Sequence, residues 1–255
     1  MMQIQAVIFD LGGTLLHYYD SASEEKQKHF LRVTMIGVKA VYQKLIDQSA
    51  DLPRFEEFTL LVDKHIGQSY QATAKELRGN SLENPVRKAF QEAGVALSNG
   101  QWEVLRPFLY QGIDTIVSPR EGLIMTLEAL VNAGYKTGLI SNTFWASDLH
   151  DRHLKEWGII DYLPERIYSC DHPRIKPHPD IFTDMLNRLN VQPSEAVYVG
   201  DTPAVDIDGA KAAKMHAILI RSPYVELTEP VNADAIIDEL PNLMDALATL
   251  EGLHR

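Results

Sequence analysis

The chain begins MMQIQAVIFDLGGTLLHYYD (residues 1–20). Residues 4–9 form a short apolar run, which predicts a buried strand that ends at Asp10. A carboxylate at the end of a buried strand is costly unless a ligand or a charged group there uses or neutralises it. The position of Asp10 therefore indicates a site, and Gly12, two residues later, contributes no side chain to it.

Further short apolar runs follow along the chain, and helical segments separate them. Each run is continuously apolar rather than alternating, which is typical of parallel strands that are covered on both faces. The later strands are predicted at Lys136–Ile140, Arg166–Ser169, Ala196–Val199, Ala217–Ile220 and Ala235–Ile237. The helices of this part are predicted at Glu121–Asn132, Ser147–Trp157, Asp180–Leu189 and Pro203–Lys214. This alternation predicts an α/β fold with a doubly wound, Rossmann-like parallel sheet.

The segment from residue 20 to about residue 112 has a different pattern. Leu31, Val38 and Leu45 recur at helical spacing, and further helical patterns follow Pro53. No part of this segment predicts a strand convincingly. We therefore expect an all-helical insertion that interrupts the α/β core after its first strand.

Length, charge and cysteine content limit the classes of protein to consider. The 255 residues suffice for one large domain or two unequal ones. The formal net charge of −11 argues against nonspecific nucleic-acid and anionic-membrane partners, which favour positive charge. Cys170 is the only cysteine, so an intrachain disulfide and a cysteine-rich zinc site are excluded. The sequence shows neither a signal-peptide pattern nor a membrane-spanning apolar run, so we expect a cytoplasmic protein.

Polar side chains gather at the carboxyl ends of the predicted strands, the edge at which open α/β sheets bind ligands. They are Asp10, Ser141, Asn142, Lys176, Asp201, Asp206 and Asp208. Carboxylates placed together repel one another unless a cation lies among them, and oxygen ligands suit Mg²⁺. Lys176 and Ser141, together with backbone N–H groups of the glycine loop, suit a phosphate group.

Four segments of the chain resemble, in order, the four motifs of the haloacid dehalogenase-like (HAD) hydrolase superfamily. They are FDLGGTL (residues 9–15), LISN (residues 139–142), RIKPHPDIF (residues 174–182) and VGDTPAVDIDGA (residues 199–210). The position of the helical insertion resembles the subclass with a C1 cap, a helical domain between the first two motifs. The resemblance implies a core domain of residues 1–18 and 113–255 and a cap domain of residues 19–112.

The resemblance also implies roles for individual residues. Asp10 is expected to attack a phosphoryl group and to form an aspartyl-phosphate. The metal site is expected to hold Mg²⁺ with Asp10, Asp201, Asp206 and the backbone carbonyl of Gly12. The phosphate-binding residues implied by the motifs are Gly13, Thr14, Ser141, Asn142 and Lys176. The implied activity is that of a Mg²⁺-dependent phosphatase that acts on a small phosphorylated metabolite. The motifs specify neither the metabolite nor the oligomeric state of the protein.

Gly12 departs from the first motif of most phosphatases of this superfamily, which reads D-x-D. The second Asp protonates the leaving oxygen, and this help is worth about 10²–10⁴-fold in rate. One interpretation is a phosphatase that takes its acid from elsewhere or favours leaving groups that need little protonation. His17 and Asp20 follow the loop, and the pKa of about 6.5 of free histidine suits His17 as an alternative acid or base.

Three other interpretations remain. A 2-haloacid dehalogenase also lacks the second Asp, but that family needs no metal and lacks the acidic fourth motif that this chain keeps. A phosphonate hydrolase needs a lysine in the cap for a Schiff base, and Lys39, Lys44 and Lys64 are available. A protein of another class would use the phosphate pocket for regulatory binding with weak catalysis.

Overall fold

The apolar runs form strands close to their predicted positions in the computed structural model, which describes residues 3–18, 26–227 and 230–252. The strands are β1 (Ala6–Phe9), β2 (Leu16–His17), β3 (Ser118–Pro119), β4 (Lys136–Ser141), β5 (Glu165–Tyr168), β6 (Ala196–Gly200), β7 (His216–Ile220) and β8 (Ala235–Ile237). Six of them form one parallel sheet in the order β5-β4-β1-β6-β7-β8. The prediction of an α/β fold with a Rossmann-like sheet is confirmed.

Helices cover both faces of this sheet and form the insertion between β2 and β3. They are α1 (Lys26–Asp47), α2 (Phe55–Glu76), α3 (Glu83–Glu92), α4 (Asn99–Leu109), α5 (Gln111–Asp114), α6 (Leu123–Asn132), α7 (Ser147–Glu156), α8 (Pro179–Leu189), α9 (Asp208–Ala212) and α10 (Leu243–Leu250). Most boundaries differ from prediction by one or two residues, the usual uncertainty of element ends. Within the described ranges, no helix is long and apolar enough to span a bilayer.

The predicted single helix Pro203–Lys214 is wrong in its first half. Pro203–Ile207 form a π-helical turn, and α9 follows it. In this turn Asp206 accepts a hydrogen bond from the backbone N–H of Thr202 at 2.9 Å, while its other oxygen faces Lys176. The wider turn therefore holds a buried carboxylate, a use of π-helical geometry that is frequent at functional sites.

The alternation of side chains along β1 explains why its sequence is apolar throughout. Val7 and Phe9 pack into the cluster under α6 and α10, whereas Ala6 and Ile8 pack into the cluster under α8 and α9. Successive side chains of a strand point to opposite faces of the sheet. Both faces are covered, so each position of the strand is apolar.

Helices α1 to α5 form the helical insertion, which leaves the core after β2 and returns at β3. Strands β2 and β3 pair antiparallel, so the two connections lie side by side. The insertion has its own apolar cluster, in which the rings of Phe58 and Phe90 lie 4.5 Å apart. Residues 26–117, all of which the structure describes, contain no strand. The division of the chain at residues 18/19 and 112/113 stays a prediction.

A second set of contacts ties the helical insertion to the core beyond the carboxyl ends of the strands. The backbone N–H of Leu82 donates to the Phe144 carbonyl at 2.7 Å, and that of Ile175 donates to the Leu77 carbonyl at 3.0 Å. Arg106 of α4 pairs with Asp148 of α7. The insertion is therefore held over the edge where the predicted site residues lie.

Candidate active site

Asp10 lies at the point where the order of strands along the sheet reverses. Strand β1 lies between β4 and β6, and the Asp10 N–H donates to the Val199 carbonyl at 2.9 Å. The chain builds the sheet from β1 to one side and then returns to build the other side. Loops diverge at such a position and leave a crevice, in which α/β proteins bind ligands.

The ammonium group of Lys176 is the centre of a buried polar cluster. Its Nζ lies 2.6 Å from Asp10 Oδ1, 2.7 Å from Asp206 Oδ1 and 2.8 Å from the Tyr198 hydroxyl. Three acceptors match the three N–H donors of a lysine, which is 2% exposed. Tyr198 in turn donates to the Ile140 carbonyl at 3.0 Å. The lysine thus fixes the orientation of one oxygen of Asp10.

Burial and neighbouring charges shift the pKa values of this cluster. Burial raises the pKa of Asp10 to about 7, Lys176 opposes the rise, and Asp206 and Asp201 add to it. Burial lowers the pKa of Lys176, but its contacts with Asp10 and Asp206 outweigh this and leave the pKa raised. One lysine therefore faces more negative charge than it neutralises, so the net charge of the site favours binding of a further cation.

The residues of this cluster fit a divalent metal ion. Carboxylate oxygens of Asp10, Asp201 and Asp206 lie within 4.8 Å of one another, and all three residues are buried. A Cβ atom at Gly13, where φ is +85°, would lie 2.2 Å from Asp201 Oδ2, so only glycine lets Asp201 lie against the loop. Three buried carboxylates beside one ammonium form an oxygen donor set with excess negative charge, which suits Mg²⁺.

The predicted phosphate-binding residues are brought together only in part. Ser141 and Asn142 line the cavity beside Asp10, whereas Gly13 and Thr14 are buried in the loop after β1 and do not line it. The Thr14 hydroxyl donates to Asp10 Oδ2 at 3.5 Å. The Asn142 amide accepts from the Lys176 N–H at 2.9 Å and donates to the Lys176 carbonyl at 2.8 Å. The side chain of Asn142 thus holds the backbone of the lysine.

His17 does not line the cavity in the described part of the chain. Its ring lies edge-on to Tyr224 at 5.5 Å, and burial and then Arg120 lower its pKa. Asp20 lies outside the described residues. Tyr18 lines the cavity instead, and a Cβ atom at Gly12 would lie 3.5 Å from Tyr18 Cδ2. The side chain that lies beside Gly12 is therefore that of Tyr18.

The sequence reasoning missed a buried chain of hydrogen bonds behind this tyrosine. His150 contacts the Tyr18 hydroxyl through Nδ1 at 3.0 Å and the Thr143 hydroxyl through Nε2 at 2.7 Å. Burial lowers the pKa of His150 to about 3, so the ring is neutral. Leu149, His150 and Leu154 share the buried face of α7, and this helical spacing is the signal that places His150 inside.

A cavity of about 640 Å³ extends from Asp10 to the helical insertion. Much of its wall is aromatic, and the rings come from the residue after β2, from α1 and α2, and from the loop after β4. They are Tyr18, Phe30, Tyr70, Phe144 and Trp145. Trp145 both lines the cavity and joins the apolar cluster of the insertion, so pocket lining and core packing are combined in one residue. The remaining polar wall includes Thr73 and Asn80.

Comparison with known proteins agrees with the fold. The model of the haloacid dehalogenase-like hydrolase family matches residues 4–214. The chain therefore belongs to the haloacid dehalogenase-like hydrolases. The prediction of a hydrolase of this superfamily is confirmed.

Several relatives match over nearly their full length. The glyceraldehyde 3-phosphate phosphatase of Methanopyrus kandleri is 27% identical over 259 residues, 97% of this chain and 98% of that protein. The phosphoglycolate phosphatase of Vibrio vulnificus is 25% identical over 251 residues, 96% of each protein. A crystal structure of a 2-haloacid dehalogenase from Pseudomonas syringae superposes with a TM-score of 0.69 at 24% identity, covering 97% of this chain and all (100%) of that one. The last likeness concerns the fold alone.

Proposed function

We propose that the protein is a Mg²⁺-dependent phosphatase of a small phosphorylated metabolite and that it acts in the cytoplasm through Asp10. The observation that carries the proposal is the buried group of Asp10, Asp201 and Asp206 around Lys176. The two relatives named as phosphatases support the same chemistry. Phosphoryl transfer depends mainly on positioning and charge neutralisation, and this group of residues is suited to both.

Each residue of the group has a distinct task in this proposal. An oxygen of Asp10 attacks phosphorus, while Lys176 holds the other oxygen of that carboxylate and neutralises charge. Ser141 and Gly12 line the cavity beside Asp10, and the Ser141 hydroxyl and the Gly12 backbone N–H would orient the phosphoryl oxygens. Asp10, Asp201 and the carbonyl of Gly12 would hold Mg²⁺, with Asp206 in support. The bound ion would reduce repulsion between the anionic nucleophile and the anionic substrate.

The other candidate activities find less support among the described residues. Lys39, Lys44 and Lys64 are exposed and do not line the cavity; Lys64 pairs with Glu92 at 2.7 Å. None of the three therefore offers the buried amine that a phosphonate hydrolase of this superfamily needs. A dehalogenase would need no group of three metal-binding carboxylates, and a mere binder would need no nucleophile positioned by a lysine.

The test is turnover of a panel of phosphorylated metabolites, 2-haloacids and phosphonoacetaldehyde, each with Mg²⁺ and with a chelator. We expect phosphate release that depends on Mg²⁺ and is abolished in Asp10→Asn. The matched control is Asp208→Asn, because Asp208 is exposed, begins α9 and does not line the cavity. This control should keep wild-type activity.

The alternatives predict different outcomes of the same panel. Turnover of a haloacid in the presence of chelator would contradict the phosphatase assignment and favour dehalogenation. Full activity of Asp10→Asn would exclude Asp10 as the nucleophile. Phosphate binding without turnover of any compound would favour the regulatory protein.

A further inference from the structure

We propose, on the basis of the phosphatase activity proposed above, that the substrate is a small phosphate monoester of a phenol. Two independent features support this: the wall of the cavity is aromatic and nearly free of cations, and the position of the usual proton donor is Gly12. The first feature concerns the part of the substrate that is not phosphate. The second concerns the oxygen that leaves.

The aromatic wall is built by side chains from both parts of the chain. Phe30 of α1 lies at the centre, with ring centroids 5.4 Å from Tyr70, 6.0 Å from Phe144 and 5.4 Å from Trp145. Tyr70 and Phe144 are 4.3 Å apart. These are the distances of packed aromatic pairs, so the rings support one another as a preformed wall. A flat aromatic group is the substrate part that such a wall binds best.

Charge around the cavity excludes a second anionic group on the substrate. Among the described residues that line it, Lys176 is the only lysine or arginine, and its three donors already face Asp10, Asp206 and Tyr198. His150 also lines the cavity, but its ring is neutral. A carboxylate such as that of phosphoglycolate would therefore be desolvated among aromatic rings with no described cation to pair with it.

The helical insertion restricts the size of the substrate. Its loop between α2 and α3 is hydrogen-bonded to the core at Phe144 and Ile175, next to the aromatic wall. The cavity of about 640 Å³ suits a small molecule. We therefore infer a free aryl phosphate rather than a phosphotyrosyl segment of a protein.

Gly12 favours the same class of compound through its effect on the leaving group. When an oxygen of Asp10 forms a bond to phosphorus, the bond from phosphorus to the substrate oxygen breaks and its electron pair stays on that oxygen. An aliphatic alkoxide is about as basic as hydroxide, the conjugate base of water with a pKa of 15.7, and needs a proton from the enzyme. A phenolate, with a pKa of about 10 for its phenol, can leave as the anion and take its proton from solvent.

In the second half of the reaction, no side chain at position 12 takes the proton of the attacking water. A water oxygen attacks phosphorus, the bond between phosphorus and the Asp10 oxygen breaks, and the electron pair returns to the Asp10 carboxylate. The group that leaves is a carboxylate, which is a weak base. The water proton passes to solvent or to phosphate. The Asp10 carboxylate is thereby regenerated, and inorganic phosphate is released.

The experiment compares matched phosphates with Mg²⁺ at one pH. Phenyl phosphate and benzyl phosphate share the ring but differ in leaving-group pKa, and 4-carboxyphenyl phosphate adds an anion. Glyceraldehyde 3-phosphate and phosphoglycolate are the aliphatic members. We expect kcat/KM for phenyl phosphate to exceed that for benzyl phosphate and the aliphatic esters by about 10²-fold or more. The added carboxylate and a phosphotyrosyl peptide should each reduce kcat/KM about tenfold or more, the effect of an unpaired buried charge or a poor fit.

Gly12→Asp tests the leaving-group argument as a gain of activity. Gly12 does not have positive φ, and its added Cβ would meet Tyr18 at an ordinary contact distance of 3.5 Å, so the backbone admits a side chain. We expect Gly12→Asp to raise kcat for benzyl phosphate about tenfold or more relative to phenyl phosphate. The control Gly12→Ala adds the Cβ without the acid and should leave the ratio of the two rates unchanged.

Phe30→Leu tests the aromatic wall while keeping an apolar side chain. It should raise KM for phenyl phosphate several-fold, because the substrate ring loses its contact with the ring of Phe30. KM for glyceraldehyde 3-phosphate, which has no ring, should not change to the same extent. The control is Phe55→Leu, because Phe55 packs on Tyr42 away from the cavity. Equal effects on both substrates would contradict the role of the wall.

The outcomes separate this inference from the activity on which it rests. Phosphoglycolate or glyceraldehyde 3-phosphate turned over as efficiently as phenyl phosphate would overturn the substrate class and leave the phosphatase in place. A phosphotyrosyl peptide turned over better than phenyl phosphate would overturn the restriction to small molecules. Turnover of none of the phosphates would contradict the proposed phosphatase itself.

Discussion

The Nζ of Lys176 lies 2.6 Å from Oδ1 of Asp10, and both side chains are buried. The lysine comes from the loop after β5, so its approach to Asp10 depends on the folded sheet. Because Asp206 shares the same ammonium group, loss of the lysine leaves two carboxylates without their cation. The two residues therefore couple the stability of the site to its chemistry.

Lys176→Met should abolish most turnover and also destabilise the fold. Removal of one partner of a buried ion pair typically costs about 3–5 kcal/mol, because the other charge stays buried and unpaired. We expect a loss of about 10²-fold or more in kcat, similar to the loss of a group that stabilises transition-state charge. Urea unfolding and steady-state kinetics measure the two effects.

The control for this prediction is Lys155→Met, a lysine in the last turn of α7 that is exposed. It removes the same charge from the surface and should change the free energy of unfolding by less than about 0.5 kcal/mol. Equal stability of the two variants would show that the contacts of Lys176 contribute nothing to the fold.

Asn142→Ala should weaken catalysis through Lys176 although it leaves the lysine in place. The Asn142 amide makes two hydrogen bonds to the backbone of Lys176, at 2.9 and 2.8 Å. Each is worth about 0.5–1.5 kcal/mol net, so we expect a loss of about 1–3 kcal/mol in unfolding free energy. A lower kcat with little change in KM would indicate positioning of the lysine, whereas a change in KM alone would indicate direct phosphate binding. Asn132→Ala, at the exposed end of α6, is the control.

Gly13→Ala should displace Asp201 and reduce affinity for Mg²⁺. The added Cβ would lie 2.2 Å from Asp201 Oδ2, and the positive φ of +85° disfavours any side chain. Gly67→Ala is the matched control, because nothing lies within 4 Å of its added Cβ and it sits inside α2. That variant should be neutral or more stable by up to about 1 kcal/mol. Calorimetric titration with Mg²⁺ and thermal unfolding would measure both effects, and unchanged Mg²⁺ affinity in Gly13→Ala would contradict the metal site.

Stability should fall in mild acid because of His150. Its pKa is about 3 in the folded protein, where burial disfavours the charged ring, and about 6.5 when unfolded. The unfolded chain therefore binds more protons between these values, so protonation favours unfolding as the pH falls below 6.5. This single group should reduce the unfolding free energy by about 1.4 kcal/mol between pH 7.5 and 5.5.

His150→Gln isolates the contribution of this ring, because glutamine does not titrate. We expect the loss of stability between pH 7.5 and 5.5 to be smaller in the variant by about the same 1.4 kcal/mol. The titratable groups that face the ring are Tyr18, His153, Asp148 and Tyr168, and all of them remain in the variant. Identical pH dependence in both proteins would contradict a neutral buried His150.

The sequence predicted the cluster of Asp10, Lys176, Asp201 and Asp206 because periodicity and topology decide it. Continuous apolar runs indicated parallel strands, and the carboxyl ends of parallel strands meet at one edge. The residues that follow those strands are therefore expected to lie close together at that edge. The same reasoning did not predict the hydrogen bonds between the Asn142 side chain and the Lys176 backbone, because the direction of a loop side chain depends on its partners in the fold.

His17 and Tyr18 show why adjacent positions were harder to choose between. Successive residues of an extended chain point to opposite sides, so a shift of one residue decides which of them reaches the cavity. His17 packs against Tyr224, and Tyr18 lies beside Gly12. Nothing in the local sequence distinguishes the two outcomes, since both residues follow the same apolar run.

The sequence by itself determined the α/β class, the helical insertion, the edge at which the acids gather and the absence of a side chain at Gly12. Each of these depends on local periodicity or on the identity of a single residue. Only the tertiary structure decided the aromatic wall, because Phe30, Tyr70 and Phe144 are far apart along the chain and meet through packing of the insertion on the core. Long-range contacts of this kind follow from how whole surfaces fit together, which no local pattern specifies.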